Sequence, residues 1–322
     1  MRNIRTETWE GFDLANSALK DLFDAGLFRG EVRFEEPVSA HTSLRIGGNV
    51  EVMIFPEDPL SLKNVLLTAG QEGIPVIVIG AGTNILVSEQ KIKGVAVSLR
   101  EFKKIELTKD TNDQNAVLYV GAGVTLPGLL RHAQKNGYSG LEALAGIPGS
   151  FGGSVHMNAG SFGTEIKDVI ESVAVMSRQG ELSILGKDKI EFSYRTSNLP
   201  EGTIVMSANI ILGKDDPDEV TKRTKDFFEK KKAAQPLGGL SAGCVFKNPV
   251  GNTAGSLIDQ AGCKGDKVGN VEVSKAHANY FINRGKATFG DFNELIEIVR
   301  TKVKNHSGIT LETEIKIIGE RE

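Results

Sequence analysis

GIPGSFGGSVHMNAG, residues 146–160, holds five glycines and one proline in fifteen positions. So dense a supply of residues that accept positive φ implies a backbone of unusual dihedrals packed closely against something, not a plain helix or strand. A second cluster, VIVIGAGTN (76–84), follows a short, wholly apolar run suited to a fully buried strand. Gly80-x-Gly82 begins like a dinucleotide fingerprint, but Thr83-Asn84-Ile85 follows, so GxGxxG is not completed. ILVSE then continues in a β pattern where that motif would open a helix. The glycines still let backbone N–H groups approach a pyrophosphate, with Thr83 and Asn84 as further donors. A tight turn after a strand is the simpler alternative. Together the two clusters point to a large phosphate-bearing cofactor lying across both segments, against a bland glycine-rich connector. Glycine is 37 of 322 residues, above the usual level of about 7 per cent, and the excess is clustered.

Outward from these clusters, Leu14, Ala15, Ala18, Leu19, Leu22, Phe23 and Leu27 space residues 1–34 as one or two short amphipathic helices. In TSLRIGGNVEVMIFPED (42–58), Val50, Val52 and Ile54 alternate in a strand that stops at Pro56. LSLKNVLLTAGQEG reads as a helix, GVAVSLREF, IELTKD and AVLYVGAG as strands, and TLPGLLRHAQKNG as a helix ending near Gly137. Strand patterns resume in VIESVAVMS and GELSIL, separated by a turn at Arg178-Gln179-Gly180, and again in GTIVMSANIIL. From Asp215 to Lys232 the chain is strongly charged with apolar residues at helical spacing, and this shift marks a domain boundary. TAGSLIDQAG then reads as a helix, HANYFIN as a strand, DFNELIEIVRTKVKNHSG as an amphipathic helix and LETEIKIIG as a strand.

Composition narrows the function classes. With 38 Lys+Arg against 41 Asp+Glu the formal charge is −3, which offers no global attraction to nucleic acid or anionic membrane. The longest apolar run, Ile74 to Ile79, is far short of the roughly 20 residues of a membrane span. The start, MRNIRTETWEGF, lacks an apolar signal core, so a cytoplasmic location is expected. Two cysteines, Cys244 and Cys263, exclude a disulfide scaffold and suit a reducing compartment. His41, His132, His156, His277 and His306 show no metal-ligand spacing, and no metal is assigned.

Single residues are ambiguous alone. Arg195 in FSYRTS lies beside a strand pattern and reads first as a surface arginine. Glu312 and Glu314 alternate with apolar neighbours, so both point to one side of a strand, functional or simply solvated. Cys244 sits in SAGCVFKNP, where an inert core thiol is the default. Lys230-Lys231-Lys232 suits either a phosphate or a solvated helix end.

Taken in order, TSLRIGG (42–48), VIVIGAGTNILVSE (76–89), GIPGSFGGSVHMNAGSFG (146–163), YRTS (194–197), SAGCVFKNP (241–249), AGSLIDQAGCKG (254–265) and LETEIKIIG (311–319) resemble the motifs of bacterial UDP-N-acetylenolpyruvoylglucosamine reductases. These flavoenzymes complete UDP-N-acetylmuramic acid for peptidoglycan. No long tyrosine-bearing insertion precedes YRTS, which is similar to the shorter, second type. The resemblance implies an α+β, FAD-binding fold of the vanillyl-alcohol-oxidase (PCMH) type, with two subdomains and a C-terminal α/β substrate-binding domain. The expected parts are a helical segment 1–34, FAD subdomains 35–103 and 104–213, and a substrate domain 214–314, with strand 315–322 returning to the first subdomain.

The same resemblance implies FAD contacts from Ile79, Gly80, Ala81, Gly82, Thr83 and Asn84, and from Gly146, Ile147, Pro148, Gly149, Gly152, Gly153, Ser154, Asn158, Ala159 and Gly160. NADPH is the implied reductant and a UDP-linked enolpyruvyl sugar the implied substrate, met by Lys231, Lys247, Asn248 and Gln260. Arg195 and Glu314 match the residues that polarise the enolpyruvyl group, and Glu314 is expected to hold or share a proton, a state burial favours. Cys244 stands where the family usually has a serine proton donor. A thiol of pKa about 8.5 is a far stronger acid than an alcohol, so the role carries over, at the cost of oxidisability. A flavin oxidase or dehydrogenase of this fold, acting on another small alcohol or sugar, is the alternative.

Overall fold

The computed structural model describes residues 18–236 and 238–319. The chain divides into two compact units: Met1–Glu36, Val50–Ala81 and Lys93–Glu229 form the first, and Pro37–Asn49, Gly82–Ile92 and Lys230–Glu322 the second. Of the expected N-terminal helices, Leu14 and Ala15 lie outside the described residues. Helix α1 (Ala18–Asp24) buries Leu19, Leu22 and Phe23.

In the first unit, a four-stranded sheet runs in the order β1 (Gly30–Pro37), β2 (Asn49–Pro56), β5 (Ile92–Val97), β3 (Val76–Val78). Strand β2 lies inside the sheet and both its faces are buried, Met53 and Phe55 as well as Val50, Val52 and Ile54. Strand β3 is parallel to β5 at the edge, and its Val78 is 46 per cent exposed. The apolar run before Gly80 is therefore not fully buried as expected. An edge strand keeps one flank open whatever its composition. Helix α2 (Pro59–Gln71) starts where Asp58 accepts from Ser61 N–H at 2.8 Å with Pro59 in the first turn, and buries Leu62, Val65, Leu66 and Ala69.

A second, antiparallel sheet runs β12 (Leu182–Gly186), β11 (Ile170–Met176), β15 (Ile204–Lys214), β7 (Asn115–Gly121), β6 (Ile105–Leu107), with β8 (Tyr138–Ser139) also paired to β15. Helix α3 (Leu126–Asn136) is capped by Thr125 and stops at Gly137, whose φ of 67° is the left-handed cap expected of glycine. The stretch that reads as neither helix nor strand folds as helix α4 (Phe151–His156) followed by the hairpin β9 (Gly160–Ser161) and β10 (Thr164–Glu165). Ser150 caps α4, and Phe151 and Val155 anchor it in the core. Its glycines belong to packing, because a Cβ on Gly152 would stand 2.7 Å from the Ala122 methyl. A short hairpin, β13 (Phe192–Ser193) and β14 (Thr196–Ser197), follows. Helix α5 (Pro217–Ala234) is the charged helix, its buried stripe formed by Val220, Thr224 and Lys231.

In the second unit, β16 (Lys267–Val268), β17 (Val271–Val273) and β18 (Phe281–Asn283) form an antiparallel sheet with helices α6 (Ala254–Gln260) and α7 (Phe289–Ser307). Thr288 and Asp291 make a capping box at the start of α7, which buries Phe292, Leu295, Ile296, Val299 and Val303. The C-terminal strand β19 (Lys316–Ile318) lies parallel to β4 (Ile85–Val87), with Ile317 opposite Leu86. It thus returns to the chain just after the first glycine cluster, and residues 320–322 lie outside the described residues. Division by packing differs from division by composition. Leu44, Ile46 and Leu86 share a core with Phe246, Phe281 and Phe292, and the break falls inside α5 between Glu229 and Lys230.

Candidate functional site

In the first unit the two glycine clusters meet. A Cβ on exposed Gly80 would stand 2.6 Å from the Ser150 hydroxyl, so a side chain there would displace the group that caps α4. Among the described residues, the N–H groups of Gly80, Ala81, Gly146, Gly149 and Ser150 have no protein acceptor. Gly146 (φ 77°) and Gly149 (φ 140°) turn that second loop. Successive open amides of this kind form an anion nest, and these residues fit the diphosphate of a dinucleotide. Pro148 is exposed and Ile147 half-buried beside them.

The first turn of α4 is different. Its amides are already engaged, Phe151 with the Val124 carbonyl at 2.7 Å, Gly152 with that of Ala122 at 2.9 Å and Gly153 with the Ser150 hydroxyl at 3.4 Å. Ser154 donates its hydroxyl to the Ser150 carbonyl, Ile79 is buried, and Gly160 packs on the Thr164 carbonyl. These positions shape the loop through internal contacts, with half-buried Ala159 bonded by its N–H to the Ser154 carbonyl.

The end of this segment holds Arg195. Tyr194 and Arg195 are the two loop residues of the β13–β14 hairpin, and Arg195 has φ 59°. Left-handed backbone costs an L-residue with a long side chain roughly 1–2 kcal/mol, and such outliers collect at functional sites. Tyr194 lies beside the guanidinium, 5.0 Å from ring centroid to carbon. The hairpin is fastened to α4 and the residues just after it: Asn158 Nδ2–H donates to the Ser193 carbonyl at 3.0 Å, and the Ser197 hydroxyl donates to the His156 carbonyl at 2.8 Å.

The second unit brings together three residues far apart in sequence. Glu314 N–H donates to the Val245 carbonyl at 2.7 Å, and Phe246 bridges Thr313, so Glu314 lies on the segment beside Cys244. Asn84 Nδ2–H donates to the Glu314 carbonyl at 3.2 Å, and Lys316 N–H donates to the Asn84 carbonyl at 3.0 Å. Half-buried Thr83 precedes it, and Gly82 (φ 64°) passes so close to the His41 carbonyl that a Cβ would stand 1.9 Å away. Asn279, which sequence reasoning missed, fixes the other side. Its side chain accepts from Phe246 N–H at 2.9 Å and donates to the Phe246 carbonyl at 2.8 Å. Nothing in HANYFIN signals that clamp; a buried asparagine in an apolar strand is the only cue.

The two carboxylates of LETE part company. Glu312 is exposed and paired with Lys247, whereas Glu314 is half-buried. Asn248 Oδ1 accepts from Ala254 N–H at 2.9 Å, and exposed Gln260 bonds Ser256 within α6. Among the three lysines, Lys231 is buried at 6 per cent exposure, while Lys230 and Lys232 are exposed. Cys244 is half-buried and Cys263 fully buried, both unbridged. Burial pushes the Cys263 thiol up, helped by Asp266, which fits an inert core cysteine.

Residues 50–186 match the FAD binding domain model, and residues 235–318 match the C-terminal domain model of UDP-N-acetylenolpyruvoylglucosamine reductase. Relatives named UDP-N-acetylenolpyruvoylglucosamine reductase are 40 per cent identical in Syntrophomonas wolfei and 36 per cent in Geotalea uraniireducens, each over 90 per cent of this chain and 95 per cent of the relative. The crystal structure of the UDP-N-acetylenolpyruvylglucosamine reductase from Thermus caldophilus aligns with a TM-score of 0.77 at 33 per cent identity, over 91 per cent of this chain and all of that one. Among the described residues, no helix is long and apolar enough to cross a membrane.

Proposed function

The chain belongs to the UDP-N-acetylenolpyruvoylglucosamine reductase family, FAD-dependent oxidoreductases, and on that premise we propose that it reduces UDP-N-acetylglucosamine enolpyruvate to UDP-N-acetylmuramate for peptidoglycan synthesis. FAD, when bound, would supply the hydride-transfer chemistry between NADPH and the enolpyruvyl group. The amides of Gly80, Ala81, Gly146, Gly149 and Ser150, open among the described residues, would hold its diphosphate. Arg195 presents a rigid fork to the substrate carboxylate, and Glu314 polarises the enolpyruvyl group as negative charge develops. Cys244 gives its Sγ proton to the carbon next to the one that received hydride, and the thiolate then recovers a proton from water. Lys231, Lys247, Asn248 and Gln260 bind the nucleotide-sugar end. Two unbridged cysteines suit a cytoplasmic setting.

The observation that carries this reading is the double tether of Glu314, its N–H on Val245 and its carbonyl on Asn84, which sets the acid beside the Cys244 segment. Anaerobic half-reactions test it. NADPH should bleach the flavin of Cys244→Ala at near the native rate, and the enolpyruvyl sugar should restore colour about 10²–10⁴-fold more slowly, as for loss of a general acid. Cys244→Ser should keep much of the second rate. Equal slowing of both half-reactions in Cys244→Ala would remove the proton-donor role.

A further inference from the structure

We infer that Asn158 is a positioning residue that sets the Arg195 turn, and that its side chain acts through that turn and not on the cofactor. This rests on the assignment of Arg195 to the substrate carboxylate. Asn158 is fully buried, at 0 per cent exposure, and both ends of its amide are engaged within the protein. Nδ2–H donates to the carbonyl of Ser193, the residue immediately before the two-residue loop, and Oδ1 accepts from Lys167 N–H at 3.3 Å. With the residue wholly buried, its side chain is turned toward these protein partners and away from any ligand.

Its backbone is also left-handed, φ 43°, a conformation asparagine tolerates better than most residues. That dihedral turns the chain after α4 so that the side chain reaches across 35 residues to Ser193. Arg195 sits in the same backbone region at φ 59° without being asparagine or glycine. Such a strained turn persists only when its surroundings over-determine it. The Asn158 bond at one end and the Ser197–His156 bond at the other both contribute to that hold. Loss of the first lets the turn relax toward ordinary dihedrals, which swings the guanidinium away from its set direction. Misplacement of a binding group by about 1 Å costs on the order of 10²-fold in rate.

The test is a double-mutant cycle on the substrate half-reaction, measured as flavin reoxidation by the enolpyruvyl sugar after anaerobic reduction. Asn158→Gly keeps a residue at ease with positive φ and removes the tether. Asn158→Asp keeps the acceptor for Lys167 N–H and removes the donor to Ser193, and serves if the glycine variant folds poorly. Either change should slow reoxidation about tenfold to a hundredfold. In an Arg195→Ala background the same change should slow it no further, because the group being positioned is gone. Multiplying losses in the double variant would overturn the inference, as would native reoxidation in both single Asn158 variants. Native reoxidation in Arg195→Ala alone would instead remove the assignment of Arg195, and the inference with it.

Discussion

Replacing Arg195 by glycine and by alanine separates strain from function at one position. Both variants lose the guanidinium, and with it the contact to the Tyr194 ring at 5.0 Å. Tyr194 is 44 per cent exposed, so that contact is worth about 0.5 kcal/mol. Alanine keeps the left-handed strain of roughly 1–2 kcal/mol; glycine relieves it. Glycine also loosens the unfolded chain, which takes back about 0.4–1 kcal/mol. Arg195→Gly should therefore exceed Arg195→Ala in stability by about 0.5–1 kcal/mol, since both variants lose the same side-chain contacts. Urea unfolding followed by far-ultraviolet circular dichroism reads this difference. Both variants should lose substrate reoxidation together, by about 10²-fold or more, since charge-assisted bonds of about 1.5–3 kcal/mol each are removed. Flavin reduction by NADPH should persist. Equal stability of the two variants would refute stored strain at the turn. Native substrate turnover in Arg195→Gly would refute the link between that strain and the reaction.

Four further outcomes follow from local contacts. Gly82→Ala should cost about 3 kcal/mol and lower the FAD content of purified protein, because its Cβ meets a backbone carbonyl at 1.9 Å at φ 64°. Gly80→Ala meets only a rotatable hydroxyl and should cost about 1 kcal/mol, the worth of a helix cap, so equal losses in urea unfolding would contradict this ordering. Burial pushes the Glu142 carboxyl up, but bonds from its own and the Gly140 N–H, the Ser139 hydroxyl and Arg223 outweigh it and hold the carboxyl below its ordinary value. Its stabilising effect is present above the unfolded value near 4.3 and lost as pH falls through the folded value, so Glu142→Gln should flatten the stability profile below about pH 5. An unchanged acid slope in that variant would count against it. Lys247→Ala breaks only an exposed pair with Glu312 and should change stability by less than about 1 kcal/mol while raising KM for the nucleotide sugar; unaltered KM would place Lys247 outside the substrate site.

Much of the fold is written locally in the sequence. Helices α2, α3 and α7 begin at Asp58, Thr125 and Thr288, each a side chain that satisfies a free helical N–H, and α3 and α7 end at glycines with left-handed φ. The turn at Gly180 (φ 72°) and the Pro56 stop are equally local. What escaped was set by distant partners. The run VIVIG looks buried by composition, yet β3 is an edge strand because, among the described residues, only β5 pairs with it. FGGSVH looks unhelical by propensity, yet Ser150 caps it and Phe151 and Val155 anchor it in the core.

The glycine clusters show why composition stops short of the site. Gly82, Gly152 and Gly160 are glycine because a neighbour occupies the space a Cβ would take. Gly146 and Gly149 instead bend a loop whose amides remain open to a ligand. The same letter thus serves close packing at one position and an open amide two or three residues away, and no count separates the uses. The catalytic candidates carry the opposite lesson. Cys244 and Glu314 become neighbours only through the pairing of Val245 with Glu314, and Asn84 joins them across 230 residues. Motif order identified these residues because family resemblance already encodes such pairings. The tethers by Asn84, Asn158 and Asn279 lay outside any motif's stated role, since a buried asparagine declares its bond partners only when the chain has folded.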